Sequence, residues 1–535
     1  MKKLLPLLGL LPLTLAAQNI GDFESVEPAI QQSRVQILEI PSTHTFQKLF
    51  QRDLIPLPGG ITVDNFDFTG YIPSEGSSIL GTLSINHETS PGGVTLLSLS
   101  FDTLDNLWNV GNNRAVDFSG VQGTVRNCSG GVTPWETVVT SEESIDANDG
   151  NGDGYYDIGW QVEIDPITGE IKDYDQDGKA DKIWKMGNMS HENFAVNPAG
   201  TYAYEGADMG STGFVYKYVL STPNDLSDGL LYVLKLDTSE ITLATSATWV
   251  AIPNSTPEEC NTVLTAAEAL GATNFNGVED VEVGPDGYIY FTAKGTDRVY
   301  RFTATDSEEI EHFEIFIDNV EYYIHHGADS SLVNFQDPDN LAFDKQGNLY
   351  IQQDGGNNYL WVTSPQHSKD NPDIRIFANT PAGSESTGIT FSPDGRFMFL
   401  SIQHPTQSNV TPVGDAAGSQ VQFNEDITVV IARKEVLGSE ATTGINDMLW
   451  EQPQMRVIPN PVVGNELKLE VPAGFAGKAE FSLISQEGRM LQQEIKRLSG
   501  TKEMMSLNIQ DLPSGQYVAI VRINDIKISA SFIRQ

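Results

Sequence analysis

Val281-Glu282-Val283-Gly284-Pro285-Asp286-Gly287 runs directly into Tyr288-Ile289-Tyr290. Apolar and polar residues alternate on both sides of a Pro-Asp-Gly turn, which is the pattern of two antiparallel strands joined by a tight hairpin. Glycine closes the turn because it takes a positive φ without steric cost. The unit recurs. Phe194-Ala195-Val196-Asn197-Pro198-Ala199-Gly200 leads into Tyr202 and Tyr204, Leu341-Ala342-Phe343-Asp344-Lys345-Gln346-Gly347 into Leu349-Tyr350-Ile351, and Ile389-Thr390-Phe391-Ser392-Pro393-Asp394-Gly395 into Phe397 to Leu400. Repeated hairpins of this kind predict an all-β fold built from the blades of a β-propeller. At about 40–50 residues per blade the body has room for roughly six to eight, and six is the expected number. A β-sandwich shows the same alternation with less of a repeat.

Outward from these repeats the chain divides into three. Residues 1–17 open with Lys2 and Lys3, continue through an apolar run from Leu4 to Leu15, and end in Ala16-Ala17 before Gln18. That is the pattern of a secretory signal peptide, too short to span a membrane, and no later stretch is long and apolar enough to do so. Residues 18–448 form the body. Residues 455–535 form a small C-terminal β-sandwich domain. The one convincing helix, Thr262 to Leu270, lies in an insertion.

Of 535 residues, 32 are Lys or Arg and 72 are Asp or Glu, a formal net charge of −40. This argues against nucleic acid as a partner, because phosphate backbones need positive patches. The acidity suits solubility outside the cell and binding of divalent cations. Of the two cysteines, Cys128 and Cys260, spacing alone leaves a disulfide open in an exported chain.

Two acidic segments interrupt the hairpin pattern. The first is Asp146-Ala147-Asn148-Asp149-Gly150-Asn151-Gly152-Asp153-Gly154. The second, Asp173-Tyr174-Asp175-Gln176-Asp177-Gly178-Lys179-Ala180-Asp181, sets acids at alternate positions with a glycine after the third. It resembles the calcium loop of EF-hand and dockerin-type repeats, in which oxygen ligands wrap one ion. The expected calcium ligands are Asp173, Asp175, Asp177 and Asp181. No Glu stands at the twelfth position, unlike an EF-hand.

Several of the remaining acids fall in short motifs at strand ends, where propeller loops meet the central channel. They include Asn86-His87-Glu88, Asn127-Cys128-Ser129-Gly130-Gly131, Thr133-Pro134-Trp135, Ser141-Glu142-Glu143 and Ser190-His191-Glu192-Asn193. Tyr204-Glu205-Gly206-Ala207-Asp208, Phe275-Asn276-Gly277-Val278-Glu279-Asp280 and Asp337-Pro338-Asp339-Asn340 follow. Gln353-Asp354, Glu385-Ser386-Thr387-Gly388 and Gln403-His404-Pro405 complete the set. Carboxylates converging on one channel raise one another's pKa, and bound cations relieve the repulsion. Hard ions such as calcium take many carboxylate oxygens, while a thiolate among them argues for a softer transition metal. Arginine is scarce in these motifs, so the sequence predicts that salt bridges do not neutralise them.

Taken in order, these motifs over roughly residues 75–410, together with Ser392-Pro393-Asp394-Gly395-Arg396, resemble the PhoX family of bacterial alkaline phosphatases. The resemblance implies a propeller channel holding two oxygen-bridged irons with calcium alongside, and hydrolysis of phosphomonoesters outside the cytoplasm. It implies metal-ligating and catalytic roles for Cys128, Glu143, Glu192 and Glu279. Further metal ligands implied are Glu142, Glu205 (or Asp208) and Asp339. Cys128 is then a thiolate ligand and not half of a disulfide. The expected partners are small phosphorylated substrates, and the chain is expected to act as a monomer. His87, His191 and His404 are expected to hydrogen-bond to the ligands, and Ser129 to be a loop donor, with no seryl nucleophile. One departure stands out. The family usually has an arginine two residues before the acid represented by Glu279, to grip the phosphate. This chain has Gly277 there, with Lys294 or Arg298 downstream as substitutes. Alternative readings are a calcium-dependent propeller lactonase, suggested by Asp339-Asn340 and Gly347-Asn348-Leu349-Tyr350, and a non-catalytic, calcium-stabilised binding propeller.

The tail carries Val457-Ile458-Pro459-Asn460-Pro461-Val462, a strand at Ala479 to Leu483, a turn at Gln486-Glu487-Gly488-Arg489, and Leu512-Pro513-Ser514-Gly515-Gln516-Tyr517-Val518. A last strand runs through Ile528, Ala530 and Phe532 to Arg534. It resembles the C-terminal sorting domain of the type IX secretion system of Bacteroidetes. That implies recognition by this machinery and a secreted or cell-surface location.

Overall fold

The computed structural model describes residues 19–29, 31–52, 63–239, 241–242, 245–355, 358–439, 455–471, 476–485, 490–499, 502–510, 512–523 and 526–535. The signal segment and the turn at Gln486–Arg489 lie outside the described residues.

The four repeated hairpins form as the sequence predicts. Each turn glycine has a positive φ, 63° at Gly200, 84° at Gly287, 82° at Gly347 and 74° at Gly395. Each hairpin opens one antiparallel blade, and six blades surround an axis among the described residues. Blade one pairs Phe66–Pro73, Leu80–His87, Gly93–Asp102 and Leu107–Ala115 in order. Blade two has three strands, Asn127–Val132, Val138–Glu142 and Gln161–Ile164. Blade three runs from Ala195–Val196 and Tyr202–Asp208 out to Thr245–Ile252. Blade four starts with Val278–Val283 and Tyr288–Ala293, and blade five with Pro338–Phe343 and Leu349–Gln353. The outer strands of blades three and four, Thr245–Ile252 and Glu309–Ile317, also pair, fusing the two into one nine-stranded sheet.

Blade six closes the ring. Glu385–Phe391 pairs with Phe397–Gln403, then with Ile427–Arg433, and the outermost strand is His44–Gln51 from the start of the chain. The first strand of each blade packs beside the next around the axis, and Glu385–Phe391 lies against Phe66–Pro73. Apolar side chains fill the spaces between blades. Phe50, fully buried, stacks on Phe66 at 5.4 Å and so joins blade six to blade one.

The insertion holds two helices, Pro257–Asn261 and Val263–Leu270. Thr256 and Glu259 form a capping box at the first, so the helical stretch begins earlier than Thr262. Cys260 is buried in that helix and donates to the Asn254 carbonyl at 3.4 Å. Both cysteines are free thiols.

The tail folds as a β-sandwich. Arg456–Val457, Glu466–Val471 and Glu503–Asn508 form one sheet, and Met490–Ser499, Ala476–Ser485, Gly515–Ile523 and Ile526–Arg534 the other. Leu467, Leu469, Phe481, Val521 and Phe532 are buried between them. Arg534 donates to the carbonyls of Ile509, Leu512 and Gln510 and so ties down the last strand.

Candidate metal centre

The first strands of blades one, two, four and five share a local defect. Phe66 pairs with His87 but Thr69 with Ile85, Asn127 with Glu142 but Gly130 with Thr140, Val278 with Ala293 but Val281 with Phe291, and Pro338 with Gln353 but Leu341 with Ile351. Each is a β-bulge with one extra residue on the inner strand, a device that re-aims side chains beside active sites. The bulged positions are Asp67-Phe68, Cys128-Ser129, Glu279-Asp280 and Asp339-Asn340. Glu192 enters just ahead of Ala195–Val196, and Glu385 opens the inner strand of blade six. Each blade thus sends one acid or thiol to the axis. A second ring comes from the ends of the neighbouring strands, namely Glu88, Glu143, Asp208, Lys294, Asp354 and His404.

The two rings meet in three overlapping sets, within each of which the donor atoms lie within 4.8 Å of one another. They are Asp67, Glu88 and Cys128; then Cys128, Glu143 and Glu192; then Glu192, Asp208 and Glu279. Cys128 Sγ lies 3.5 Å from Asp67 Oδ2 and 3.4 Å from Glu192 Oε2. Asp67 Oδ1 is buried with no hydrogen-bond partner among the described residues. Such an atom costs free energy unless a ligand meets it. The donor set fits metal ions: six carboxylates and one sulfur, shared between adjacent sets, with an unsatisfied oxygen facing in.

Burial pushes Asp67, Cys128, Glu192 and Glu279 well above their ordinary ranges, and neighbouring carboxylates add to the effect. Burial also takes Glu143 up to about 8, with Glu88 adding and Arg126 opposing. Glu385 is raised by burial to about 8, and Asp280 to about 7. A cation that replaces those protons relieves both burial and repulsion. The consequence for stability has a definite sign. Without metal, the folded protein keeps protons that an unfolded chain releases near pH 4. Its stability is therefore fullest below that pH and falls as pH rises through about 8. Chelated protein is expected to melt at progressively lower temperature from pH 5 to 9, with metal-loaded protein much less affected. A flat melting profile for the chelated protein would contradict proton-holding acids in the channel.

Two cations offset part of the charge, which corrects the expectation that salt bridges play no part here. Arg126 Nε donates to Glu88 Oε1 at 3.0 Å, and its Nη2 lies 2.5 Å from Glu143 Oε2. Lys294 Nζ lies 2.7 Å from Asp354 Oδ2, 3.0 Å from Asp339 Oδ2 and 3.8 Å from Glu279 Oε1. Burial works against its charge, yet these acids hold its proton well above the ordinary lysine range. Beneath the ring, Asp280 Oδ2 accepts from Leu341 N at 2.6 Å, Asn86 Nδ2 donates to the carbonyls of Cys128 and Ser129, and Thr292 Oγ1 donates to the Asp339 carbonyl at 2.7 Å. These bonds lock neighbouring blades and hold the bulges in register.

Cys128, Glu143, Glu192 and Glu279 come together as the sequence suggested. Glu142 does not join them. It points to the far side of its strand, where Lys182 Nζ donates to it at 2.8 Å with both side chains fully buried. Glu205 is also directed away, accepting from His191 at 2.8 Å, and the alternative, Asp208, takes the place in the cluster. Asp339 is held by Lys294 instead of lying within the three sets. In the acidic loop, Asp173, Asp175 and Asp181 converge, whereas Asp177 turns outward to Lys179 at 3.2 Å. His87 bonds Thr95 at 2.7 Å, and His404 faces Glu385 at 3.7 Å. Ser129 Oγ accepts from Asn340 at 3.4 Å.

The alkaline phosphatase PhoX family model matches residues 107–406. The chain belongs to the PhoX family. It is therefore a phosphatase, a phosphoric ester hydrolase of a metal-dependent kind. Among solved structures, Pseudomonas fluorescens PhoX in complex with vanadate, a transition state analogue, is 19% identical with a TM-score of 0.58, over 78% of this chain and 99% of that one. That likeness bears on the fold. Virginiamycin B lyase from Staphylococcus aureus, at 11% identity and TM-score 0.34 over 73% and 99% of the two chains, adds nothing to it. No curated protein matches.

Within this PhoX chain, sequence reasoning missed Asp67 and Arg126 and underweighted Glu88. Asp67 had a signal, an acid between two phenylalanines on an otherwise apolar strand. Arg126 had one too, standing immediately before Asn127-Cys128. At Gly277 the φ is +81°, and a Cβ there would lie 3.6 Å from Asp208 Oδ1 and 3.7 Å from Glu279 Oε1. The position does face the centre. Of the two proposed substitutes, Lys294 reaches the centre, whereas Arg298 is paired with Asp318 at 2.8 Å.

Proposed function

We propose that this PhoX protein is an exported phosphomonoesterase whose channel holds iron and calcium. The observation that carries the reading is the row of three donor sets sharing Cys128 and Glu192. The two sets that include the thiol suit iron, and the all-carboxylate set Glu192, Asp208 and Glu279 suits calcium. Asp173, Asp175 and Asp181 form a separate oxygen-only set, with Asp173 Oδ1 buried and without a hydrogen-bond partner among the described residues, suited to a further calcium.

When bound, the cations offset charge on a transferring phosphoryl group and lower the pKa of water. The chain's own residues set the rest. Lys294 fixes Asp339 and Asp354 and keeps one positive charge at the mouth. The bulges place the donors before substrate arrives, so little reorganisation accompanies the reaction. His404 Nε2, held protonated up to about pH 9 chiefly by the Glu385 carboxylate that it faces, stands in the outer ring as a proton source for a departing alcohol oxygen. The apolar start and the tail fit export through the type IX route, with action at the surface or in the medium. Recovery of the full chain from the cytoplasm of its host would refute that part.

The test is to load the full chain with iron and calcium, measure its metal content, and assay a chromogenic phosphomonoester at alkaline pH. Turnover that is lost on chelation and restored by both metals is expected. Calcium without iron, or both metals bound without turnover, would overturn the reading.

A further inference from the structure

We propose that Arg126, from blade two, is the guanidinium that grips the substrate phosphate. This role presupposes the phosphatase reading above. Among the described residues Arg126 is the one arginine that touches the acids of the centre. It bridges Glu88 of the first donor set and Glu143 of the second, so it spans the two sets joined by Cys128. Its side chain is 46% exposed, which leaves it open to the channel mouth.

The backbone is built to hold it there. Arg126 has φ +49°, a left-handed conformation that is unfavourable for an ordinary residue and persists only where the surroundings over-determine it. Its N–H donates to the Thr89 carbonyl at 2.8 Å and its carbonyl accepts from Glu143 N at 2.9 Å. The loops that carry Glu88 and Glu143 thus clamp the arginine between them. Strain of this kind aims a side chain.

Donor accounting separates Arg126 from Lys294. Lys294 Nζ lies 2.7 Å from Asp354 Oδ2 and 3.0 Å from Asp339 Oδ2, with Glu279 Oε1 at 3.8 Å, so this ammonium is shared among three acids. The bonds of Arg126 run through Nε and Nη2, and Nη1 has no partner among the described residues. A phosphate seated over the two donor sets meets the free N–H bonds of Nη1, on a planar guanidinium already held in place by its carboxylate partners, which aims the donors more narrowly than a point charge does.

The test uses the full chain loaded with iron and calcium and compares Arg126→Gln, Arg126→Lys and Arg126→Ala with Arg298→Gln as control. Inorganic phosphate binding is measured by calorimetry, alongside KM, kcat and metal content. Loss of charge-assisted bonds should weaken phosphate binding and raise KM roughly 10- to 100-fold in Arg126→Gln, with metal content unchanged. Arg126→Lys should recover little of this, and added guanidinium ion should partly restore Arg126→Ala. Arg298→Gln should match wild type. Wild-type turnover with unaltered phosphate binding and KM in Arg126→Gln would overturn this inference alone. So would loss of metal in all three variants, which would make Arg126 a support for the ligands, or a large gain in rate on Gly277→Arg, which would show that wild type lacks a phosphate grip. A metal-loaded wild type that neither binds phosphate nor hydrolyses an ester would sink the phosphatase reading itself.

Discussion

Cys128→Ala is expected to lose iron and to fall below about one hundredth of wild-type turnover, while still folding and still binding calcium. Replacing even the outer partners of metal ligands typically costs 10- to 100-fold, and Cys128 belongs to two of the three donor sets. Its removal leaves Asp67 and Glu88 on one side, and Glu143 and Glu192 on the other, without the soft donor that joins them. The third set, Glu192, Asp208 and Glu279, does not use the thiol. Calcium retention is therefore the expected contrast, and elemental analysis reads it directly. Folding should survive because burial keeps the unliganded thiol protonated, so alanine exchanges a small neutral group for a smaller one. Cys128→Ser should behave like alanine for iron, since a hydroxyl is a harder and far less acidic ligand. A Cys128→Ala protein with wild-type iron and wild-type turnover would exclude the thiol from the centre.

Much of this architecture was legible because propeller blades repeat their grammar. Four Gly-closed hairpins mark four blades, and the offset that separates Cys128 from Glu143 also separates Glu279 from Lys294 and Asp339 from Asp354. In these three blades the inner-ring and outer-ring residues are thus written at one spacing, fixed by the length of a strand, a tight turn and a strand, whereas the pairs Asp67 and Glu88, Glu192 and Asp208, and Glu385 and His404 depart from it. The misread residues follow from strand geometry. Adjacent side chains on a strand point to opposite faces, so of Glu142 and Glu143 only one can face the channel, and a motif that names both cannot say which. Glu205 and Asp208 pose the same problem, since a three-residue step reverses the face. Asp67 was hidden for a different reason. Its blade lacks the Pro-Asp-Gly turn, and the bulge that turns Asp67 toward the axis is a register shift with no sequence marker of its own. Arg126 was missed because charge scarcity was counted over motifs, whereas a single guanidinium placed between two loops serves two acids at once.

Lys182→Met is expected to destabilise the folded protein by about 3–5 kcal/mol at pH 8, the range for breaking a fully buried ion pair from one side. Glu142 Oε1 accepts from Val125 N at 3.0 Å, and Oε2 accepts from Gly159 N and Trp160 N at 3.1 Å each and from Lys182 Nζ at 2.8 Å. Lys182 also donates to the Asp157 carbonyl at 2.7 Å. Burial pushes Glu142 up and Lys182 down, and each offsets the other's desolvation. Removing the ammonium leaves a carboxylate in a dry site, so the folded protein holds a proton on Glu142 at pH values where the unfolded chain does not. The loss should therefore be small near pH 4 and grow as pH rises. Lys182→Met with Glu142→Gln should recover more than half of the loss, because the glutamine oxygen keeps backbone acceptor bonds without the charge. Denaturant titrations at pH 4 and pH 8 test this, and a single variant as stable as wild type at pH 8 would refute it. The pair also bears on the centre. Glu142 is joined through Val125 N to the residue before Arg126 and by the chain to Glu143, so the Lys182–Glu142 pair holds from behind the two groups that meet at the first and second donor sets. Turnover in Lys182→Met should accordingly fall well below its melting temperature and return in the double variant, an outcome that general loss of stability would not produce.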